Sequence, residues 1–340
     1  MTQVGLDEAA VSAWLDGCDL GLRLPLTFAR IGLGQSNLTF MVTDATGARL
    51  ILRRPPLGRL LASAHDVARE HRILKALEST PVPTPAVLAF TEDPAVTDAP
   101  LLAVAHVEGL VVDNVQVAEA LSPSRRGSLG LALATALEPI HAVDLGATGL
   151  EDLASHKPFA ARQLKRWRRQ WEDSRTRDLK AVDDLADRLE AAIPPQEEVT
   201  LVHGDFHLSN VIVAPDGSHV RAVLDWELCT LGDPLADLGC LLAYWPADGE
   251  PATGPLLATR LPGFPSRREM AARYGDETGR SLDAVGFWHT LALWKIAIIA
   301  EGVRRRTLDD PRNAAEVSAP AAHVDDFIAR ALRVAAEAGL

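Results

Sequence analysis

Two short segments carry side chains able to do chemistry together. The first is His203-Gly-Asp-Phe-His-Leu-Ser-Asn210; the second, one expected hairpin later, is Asp225-Trp-Glu227. Moving the γ-phosphoryl group of ATP to a hydroxyl asks little covalent chemistry of a protein. It needs a carboxylate that orients the hydroxyl and accepts its proton, and oxygen ligands that hold Mg²⁺ on the phosphates. Asp205 suits the first task. Asn210 follows it at the D-x-x-x-x-N spacing of a phosphotransfer loop. Asp225, at the end of the next expected strand, suits the main Mg²⁺ ligand, because Mg²⁺ takes few protein oxygens and completes its shell with phosphate and water.

A nucleotide needs a cradle, and Ile31-Gly-Leu-Gly-Gln-Ser-Asn37 is placed between two expected strands to supply one. Gly32 and Gly34, with Gln35 in the turn, let backbone N–H groups approach phosphate closely. Ser36 and Asn37 add side-chain donors. The run is neither a Walker A sequence nor a full G-x-G-x-x-G, since Asn37 stands at the third glycine position. Two strands later comes Ile51-Leu-Arg-Arg54, where kinases carry a lysine. Alternation along the strand puts Arg53 on the face of Ile51 and Arg54 on the other. Arg53 is expected at the nucleotide with Glu70 as partner, and Arg54 at the exterior.

Those residues need elements to hold them. Leu6–Leu20 has a helical rhythm; Phe28–Leu33, Leu38–Thr43 and Arg49–Arg54 read as strands, with Asp44–Gly47 as a turn. Ser63–Leu77 reads as a helix capped by Ser63 and stopped by Pro81-Val-Pro-Thr-Pro85. Leu101–Val107 is a continuous apolar strand. Beyond Gly109 the texture turns helical: Ser124–His141, Phe159–Ile193, Pro234–Tyr244, Ser266–Thr278, Ala284–Arg305 and Ala319–Glu337. Only Val199–Leu224 interrupts it, with Pro215-Asp216-Gly217 as a hairpin turn. The expected fold is α+β and two-lobed: residues 1–108 a small antiparallel β lobe that binds nucleotide, residues 109–340 a larger, mainly helical lobe with the catalytic and substrate-binding groups.

The H-G-D-x-H-x-x-N loop and the following D-W-E resemble the aminoglycoside phosphotransferase and choline kinase superfamily. Gly34-Gln-Ser-Asn37, Leu52-Arg-Arg-Pro-Pro56, Ser63-Ala-His65, Arg69-Glu70, Asp225-Trp-Glu-Leu-Cys-Thr-Leu-Gly-Asp-Pro234 and Asp237-Leu-Gly239 resemble most the kinase-like domains fused to acyl-CoA dehydrogenases and their free-standing bacterial relatives. The resemblance runs from about Ile31 to Arg305. It implies a protein-kinase-like fold, with Asp205 as catalytic base and Asn210 and Asp225 as metal ligands. It implies that His203 ties the catalytic loop to the metal-binding segment and that His207 holds the loop. Glu227 either reaches a water beyond the metal's own ligands or the substrate, or belongs to the scaffold. The Ala105 carbonyl and the Val107 N–H would meet the purine edge. The same branch resembles this chain in carrying Arg at the Arg53 position.

The substrate side is less defined. Trp288, Lys295 and Glu301, on one late helix, are candidates to line the acceptor pocket. Lys295, in an apolar run, needs a carboxylate or an anionic ligand to offset its burial. The formal charge of −12 argues against a nucleic-acid partner. Residues 1–100 carry 9 basic and 11 acidic side chains and the rest 25 and 35, so the acidity lies in the second lobe. That leans toward a cationic substrate, whereas Lys295 and Arg304–Arg306 lean toward an anion such as a CoA phosphate. Cys18, Cys229 and Cys240, without metal-ligand spacing, fit thiols kept reduced. Phe287–Ala300 is too short and polar to span a bilayer. The expectation is a cytoplasmic kinase for a small-molecule hydroxyl, using ATP and Mg²⁺, with no nucleic-acid or membrane partner. The alternatives are a kinase for hydroxylated acyl-CoA-type substrates and a non-catalytic nucleotide-binding regulator. A protein kinase fits poorly, because Gly232-Asp-Pro234 and Asp237 follow Asp225 too closely for a long activation loop and no A-P-E sequence follows.

Overall fold

The computed structural model describes residues 5–32, 37–56, 66–155, 157–250, 254–309 and 321–340. The fold is α+β, and the chain forms two compact units. One comprises Met1–Glu108 with Arg221–Glu227, the other Gly109–Val220 with Leu228–Leu340. The first unit therefore takes in a segment, with Asp225 and Glu227, that lies far beyond the boundary read from the sequence.

In the first unit, helix α1 (Glu8–Gly17) is followed by strands β1 (Thr27–Ile31), β2 (Leu38–Thr43) and β3 (Arg49–Arg54), helix α2 (Val67–Leu77), and strands β4 (Val87–Thr91) and β5 (Leu101–Ala105). They form one antiparallel sheet in the order β1-β2-β3-β5-β4. Period-two alternation sorts its faces. Leu38, Phe40 and Val42 of β2 and Leu50 and Leu52 of β3 form a core with Val11 and Leu15 of α1. Ile51 and Arg53 point to the opposite face.

Arg54 continues the buried row of Leu50 and Leu52 and is 3% exposed, so its expected exterior position is corrected. Alternation does separate Arg53 from Arg54, but the second face is covered. The Arg54 guanidinium is satisfied there by the carbonyls of Gly5 and Pro55 and by Asp98 at 2.9 Å. Helix α2 begins at Val67, and its N-cap is Asp66, whose carboxylate accepts the Arg69 N–H. Ser63, the expected cap, lies outside the described residues. Strand β4 was not anticipated, and β5 stops at Ala105, two residues short of expectation.

The second unit is mainly helical: α3 (Val115–Glu119), α4 (Pro123–His141), α5 (Leu145–Thr148), α6 (Phe159–Ser174), α7 (Lys180–Ala191), then strands β6 (Thr200–Val202) and β7 (Val211–Val213). Strand β8 (Val220–Val223) carries the chain from this unit into the first. Strand β9 (Thr230–Gly232) returns to pair antiparallel with β6. Helices α8 (Leu235–Ala243), α9 (Arg267–Thr278), α10 (Val285–Asp309) and α11 (Ala321–Glu337) complete it. Helix α10 is the hub, packed on α8, α11, α6 and α7. The stretch Phe159–Ile193, read as continuously helical, breaks between Ser174 and Lys180. Glu301 of α10 holds that break, accepting the Thr176 N–H at 2.8 Å and its hydroxyl at 2.6 Å. Among the described residues no helix is long and apolar enough to cross a membrane.

Candidate active site

The loop His203–Asn210 leaves β6 and ends in a single 3₁₀ turn, Leu208–Asn210, before β7. Its first peptides are held from below by Asp237 in the first turn of α8. The Asp237 carboxylate accepts the backbone N–H of His203 at 2.7 Å and of Gly204 at 2.8 Å, and lies 3.3 Å from His141 Nε2. Asp237 and His203 are fully buried. Gly204 has φ +84°, and a Cβ there would lie 2.6 Å from the Leu228 carbonyl oxygen, so only glycine fits. The His203 Nδ1 atom accepts the Asp205 N–H at 3.2 Å. The backbone leading into Asp205 is thus set by buried side chains.

Asp205 and Asn210 come together as their spacing predicts. Asn210 Nδ2 donates to the Asp205 carbonyl at 3.0 Å and to its carboxylate at 3.2 Å. The amide nitrogen thus faces Asp205 and, at 3.2 Å, His207 Nε2, which leaves the carboxamide oxygen turned away from Asp205. His207 Nδ1 accepts the Ser209 N–H at 3.3 Å, and its Nε2 lies 3.5 Å from Asp205 Oδ2 and 3.2 Å from Asn210 Nδ2. Tyr244, at the end of α8, packs on the His207 ring with centroids 4.2 Å apart. Burial alone would raise the Asp205 carboxyl. His207, Lys295 and His203 outweigh burial and hold it well below the usual carboxylate range.

In the first unit, Arg53 Nη1 is 3.0 Å from Glu70 Oε1 and Arg53 Nη2 is 2.9 Å from Asp225 Oδ1. Asn37 is buried and donates to Glu227 Oε2 at 3.3 Å. The segment with these acids is fastened by the Val223 N–H to the Pro83 carbonyl at 2.8 Å and by buried Trp226, whose Nε1 donates to the Val223 carbonyl. Asp225 has φ +64°, a left-handed backbone that a non-glycine residue adopts at a cost of about 1–3 kcal/mol. The Arg53 guanidinium pairs with two carboxylates, Glu70 and Asp225, and Glu227 adds its charge nearby. Burial pushes the Glu70 carboxyl up to about 7; Arg53 opposes the rise and the two acidic neighbours add to it. Carboxylate oxygens are the hard donors that a divalent cation such as Mg²⁺ takes. Among the described residues no cluster of three or more His, Cys, Asp or Glu side chains could hold a metal ion.

Other expected residues fall as follows. Gly32 has φ +75°, while Gly34, Gln35 and Ser36 lie outside the described residues. Ala105 closes β5 with its N–H on the Ala86 carbonyl, and Val107, half-buried, follows the strand. Two pocket candidates are corrected. Trp288 is 2% exposed and stacks on Phe159, and Glu301 is fully buried at the α6–α7 break, because α10 is a core helix on several sides. Lys295 Nζ donates to the Gly204 carbonyl at 2.7 Å, and its charge acts on the neighbouring Asp205 carboxylate. Asp237, His141 and Tyr244 lie outside the expected site residues. For Asp237 a signal existed, an acid placed inside the apolar run Leu235–Ala243.

Residues 27–272 match the profile of the phosphotransferase enzyme family. The chain is 35% identical over 301 residues to acyl-CoA dehydrogenase family member 10 of Mus musculus, covering 86% of this chain and 27% of that protein. It is 34% identical over 291 residues to acyl-CoA dehydrogenase family member 11 of Gallus gallus, covering 83% and 37%. The chain thus corresponds to well under half the length of these curated relatives. Among solved structures, one from Ralstonia eutropha, described as a candidate aminoglycoside phosphotransferase, matches with TM-score 0.77 and 28% identity over 96% of this chain and 99% of that one.

Proposed function

The chain belongs to the phosphotransferase enzyme family, and from that premise we propose that it is a kinase moving the γ-phosphoryl group of ATP to a hydroxyl of a small molecule, with Mg²⁺. The observation that carries the reading is the Asp205–Asn210 pair. A carboxylate kept ionised is tied to a carboxamide whose oxygen is turned away from it. In this reading Asp205 orients the acceptor hydroxyl and takes its proton as the bond to phosphorus forms. Asn210 and Asp225 would be the residues to offer oxygens to Mg²⁺, which when bound would neutralise charge on the phosphates. Arg53, steadied by Glu70, grips phosphate, and residues 31–37 with Ala105 and Val107 hold the rest of the nucleotide. Residues 1–108 then form the nucleotide-binding lobe and residues 109–340 the catalytic and substrate-binding lobe, in a cytoplasmic protein.

The acceptor is aminoglycoside-like, an amino alcohol or another hydroxylated metabolite. A second reading, a hydroxylated acyl-CoA-type acceptor, is favoured by the acyl-CoA dehydrogenase family relatives. The deciding experiment is an ATP-consumption screen of the purified chain against aminoglycosides, choline-like amines and hydroxyacyl-CoAs. Tight Mg·ATP binding without phosphorylation of any of them would instead favour a nucleotide-binding regulator.

The two adjacent arginines offer a sharper check. Arg53→Ala removes a charged grip on phosphate and is expected to raise the KM for ATP on the order of 10–100-fold. Arg54→Ala removes a buried side chain on the opposite face and is expected to cost about 1–3 kcal/mol of stability with little change in KM. Steady-state kinetics and thermal melts of both variants separate the effects. Equal KM changes would contradict the assignment of Arg53 to the nucleotide.

A further inference from the structure

We propose that Lys295 is a positioning residue for phosphoryl transfer: from α10 it clamps the peptide preceding Asp205 and so aims the carboxylate at the acceptor hydroxyl. This rests on the kinase reading and deepens it.

The peptide groups around Gly204 are held from two sides. The Gly204 N–H goes to Asp237 of α8 at 2.8 Å, and its carbonyl accepts from Lys295 Nζ of α10 at 2.7 Å. Gly204 has no side chain with which to anchor itself, and its left-handed backbone is adjacent to the residue whose orientation matters most. Without the ammonium, the peptide plane between Gly204 and Asp205 keeps only its covalent neighbours and the His203 contact to the Asp205 N–H. Lys295 is itself fixed. Its Nζ lies 5.5 Å from the Trp167 ring centroid, on α6, in cation–π range. Its flanking residues Trp294 and Ile296 are buried. A rigid helix therefore delivers one long side chain to one carbonyl, and a hydrogen bond from a charged donor is stronger than one from a neutral donor. Displacing a reacting group by about 1 Å can cost on the order of 100-fold in rate, so this tie has a kinetic consequence out of proportion to its contribution to stability.

The test uses the full chain with Lys295→Met, Lys295→Gln and Lys295→Arg. Three quantities are read: Mg·ATP hydrolysis with water as acceptor, amide hydrogen exchange of peptides covering residues 202–210, and the melting temperature. Lys295→Met is expected to lower kcat about 10–100-fold, leave the KM for ATP within about threefold, and speed exchange in 202–210. Lys295→Arg should restore part of both, and Lys295→Gln, a neutral donor, should fall between. If Lys295→Met does not fold, the Gln and Arg variants decide by the same criteria. Unchanged exchange and kcat would overturn the proposal, as would a raised KM at constant kcat, which would make Lys295 a ligand-binding cation. If wild type neither binds nor hydrolyses ATP, the kinase reading itself fails, and the role in transfer falls with it. That failure shows in the wild type alone, whereas failure of the inference shows only in the comparison of variants.

Discussion

Asp205→Asn is expected to lower turnover on the order of 10²–10⁴-fold, the range for loss of general-base help, while Mg·ATP still binds with near wild-type affinity. Asn has nearly the shape of Asp, and its oxygen can still accept from Asn210 Nδ2, so the loop should keep its form. What disappears is the negative charge and the site for the hydroxyl proton. The surroundings of Asp205 say when that proton moves. Its carboxyl is held well below the usual range, which makes it a poor base toward a neutral hydroxyl at rest. In a loose phosphoryl-transfer transition state the hydroxyl turns acidic only as its bond to phosphorus forms, so a weak base aimed well suffices. It also follows that protonation of Asp205 should leave no acid limb on kcat between neutral pH and about pH 5, as its carboxyl lies below the ordinary value near 3.8. Asp225→Ala should behave differently. It removes an expected Mg²⁺ ligand and one of the two carboxylates at Arg53, so productive Mg·ATP binding is what should suffer. Calorimetric titration of Mg·ATP onto both variants, beside a turnover assay, checks the contrast. Normal turnover by Asp205→Asn would leave positioning and the metal to do all the work.

Local chemistry was legible in the sequence wherever it depended on neighbours in the chain. Strands Leu38–Thr43 and Arg49–Arg54 have the expected bounds because a clear two-residue alternation fixes them. The contact between Asp205 and Asn210 follows from five residues of loop. Strand β4 escaped because every residue from Val87 to Thr91 is half-buried, which leaves no alternation to read. Arg54 is buried for a tertiary reason: charge suggests solvent, but α1 and the chain at Gly5 cover that face of the sheet. The split of Phe159–Ile193 depends on Glu301, 125 residues beyond Thr176, and no local pattern announces such a partner. Lys295 shows both sides. Its place in an apolar helix implies that it must be compensated, but not that its hydrogen bond goes to a backbone carbonyl in the catalytic loop beside Asp205.

The largest expected loss of stability comes from Asp237→Ala. One carboxylate accepts two successive backbone N–H groups and stands beside His141, all inside the second unit and out of water. Alanine leaves those donors buried and unmatched, a change of the kind that costs about 3–5 kcal/mol and should lower the melting temperature of the second unit by roughly 10 °C. Asp237→Asn should recover only part of this, because its amide nitrogen would face one of the two N–H donors. Acidification gives an independent signature. Burial would raise the Asp237 carboxyl, but its bond to His141 and the nearby His203 lower it below the ordinary 3.8. The stabilisation from its ionised form is therefore fully present above about pH 4 and is lost as the pH falls through the depressed folded value. The stability gap between wild type and Asp237→Asn should then narrow in strong acid, where the wild-type carboxyl is also neutral. Thermal melts across pH 2–8 measure it, and a gap constant over that range would mean that packing, not charge, is what Asp237 supplies. Because His203 and Gly204 precede Asp205 directly, the folded fraction of Asp237→Ala should also turn over more slowly than its concentration predicts. Asp205→Asn should show the opposite combination, a normal melt with a collapsed rate.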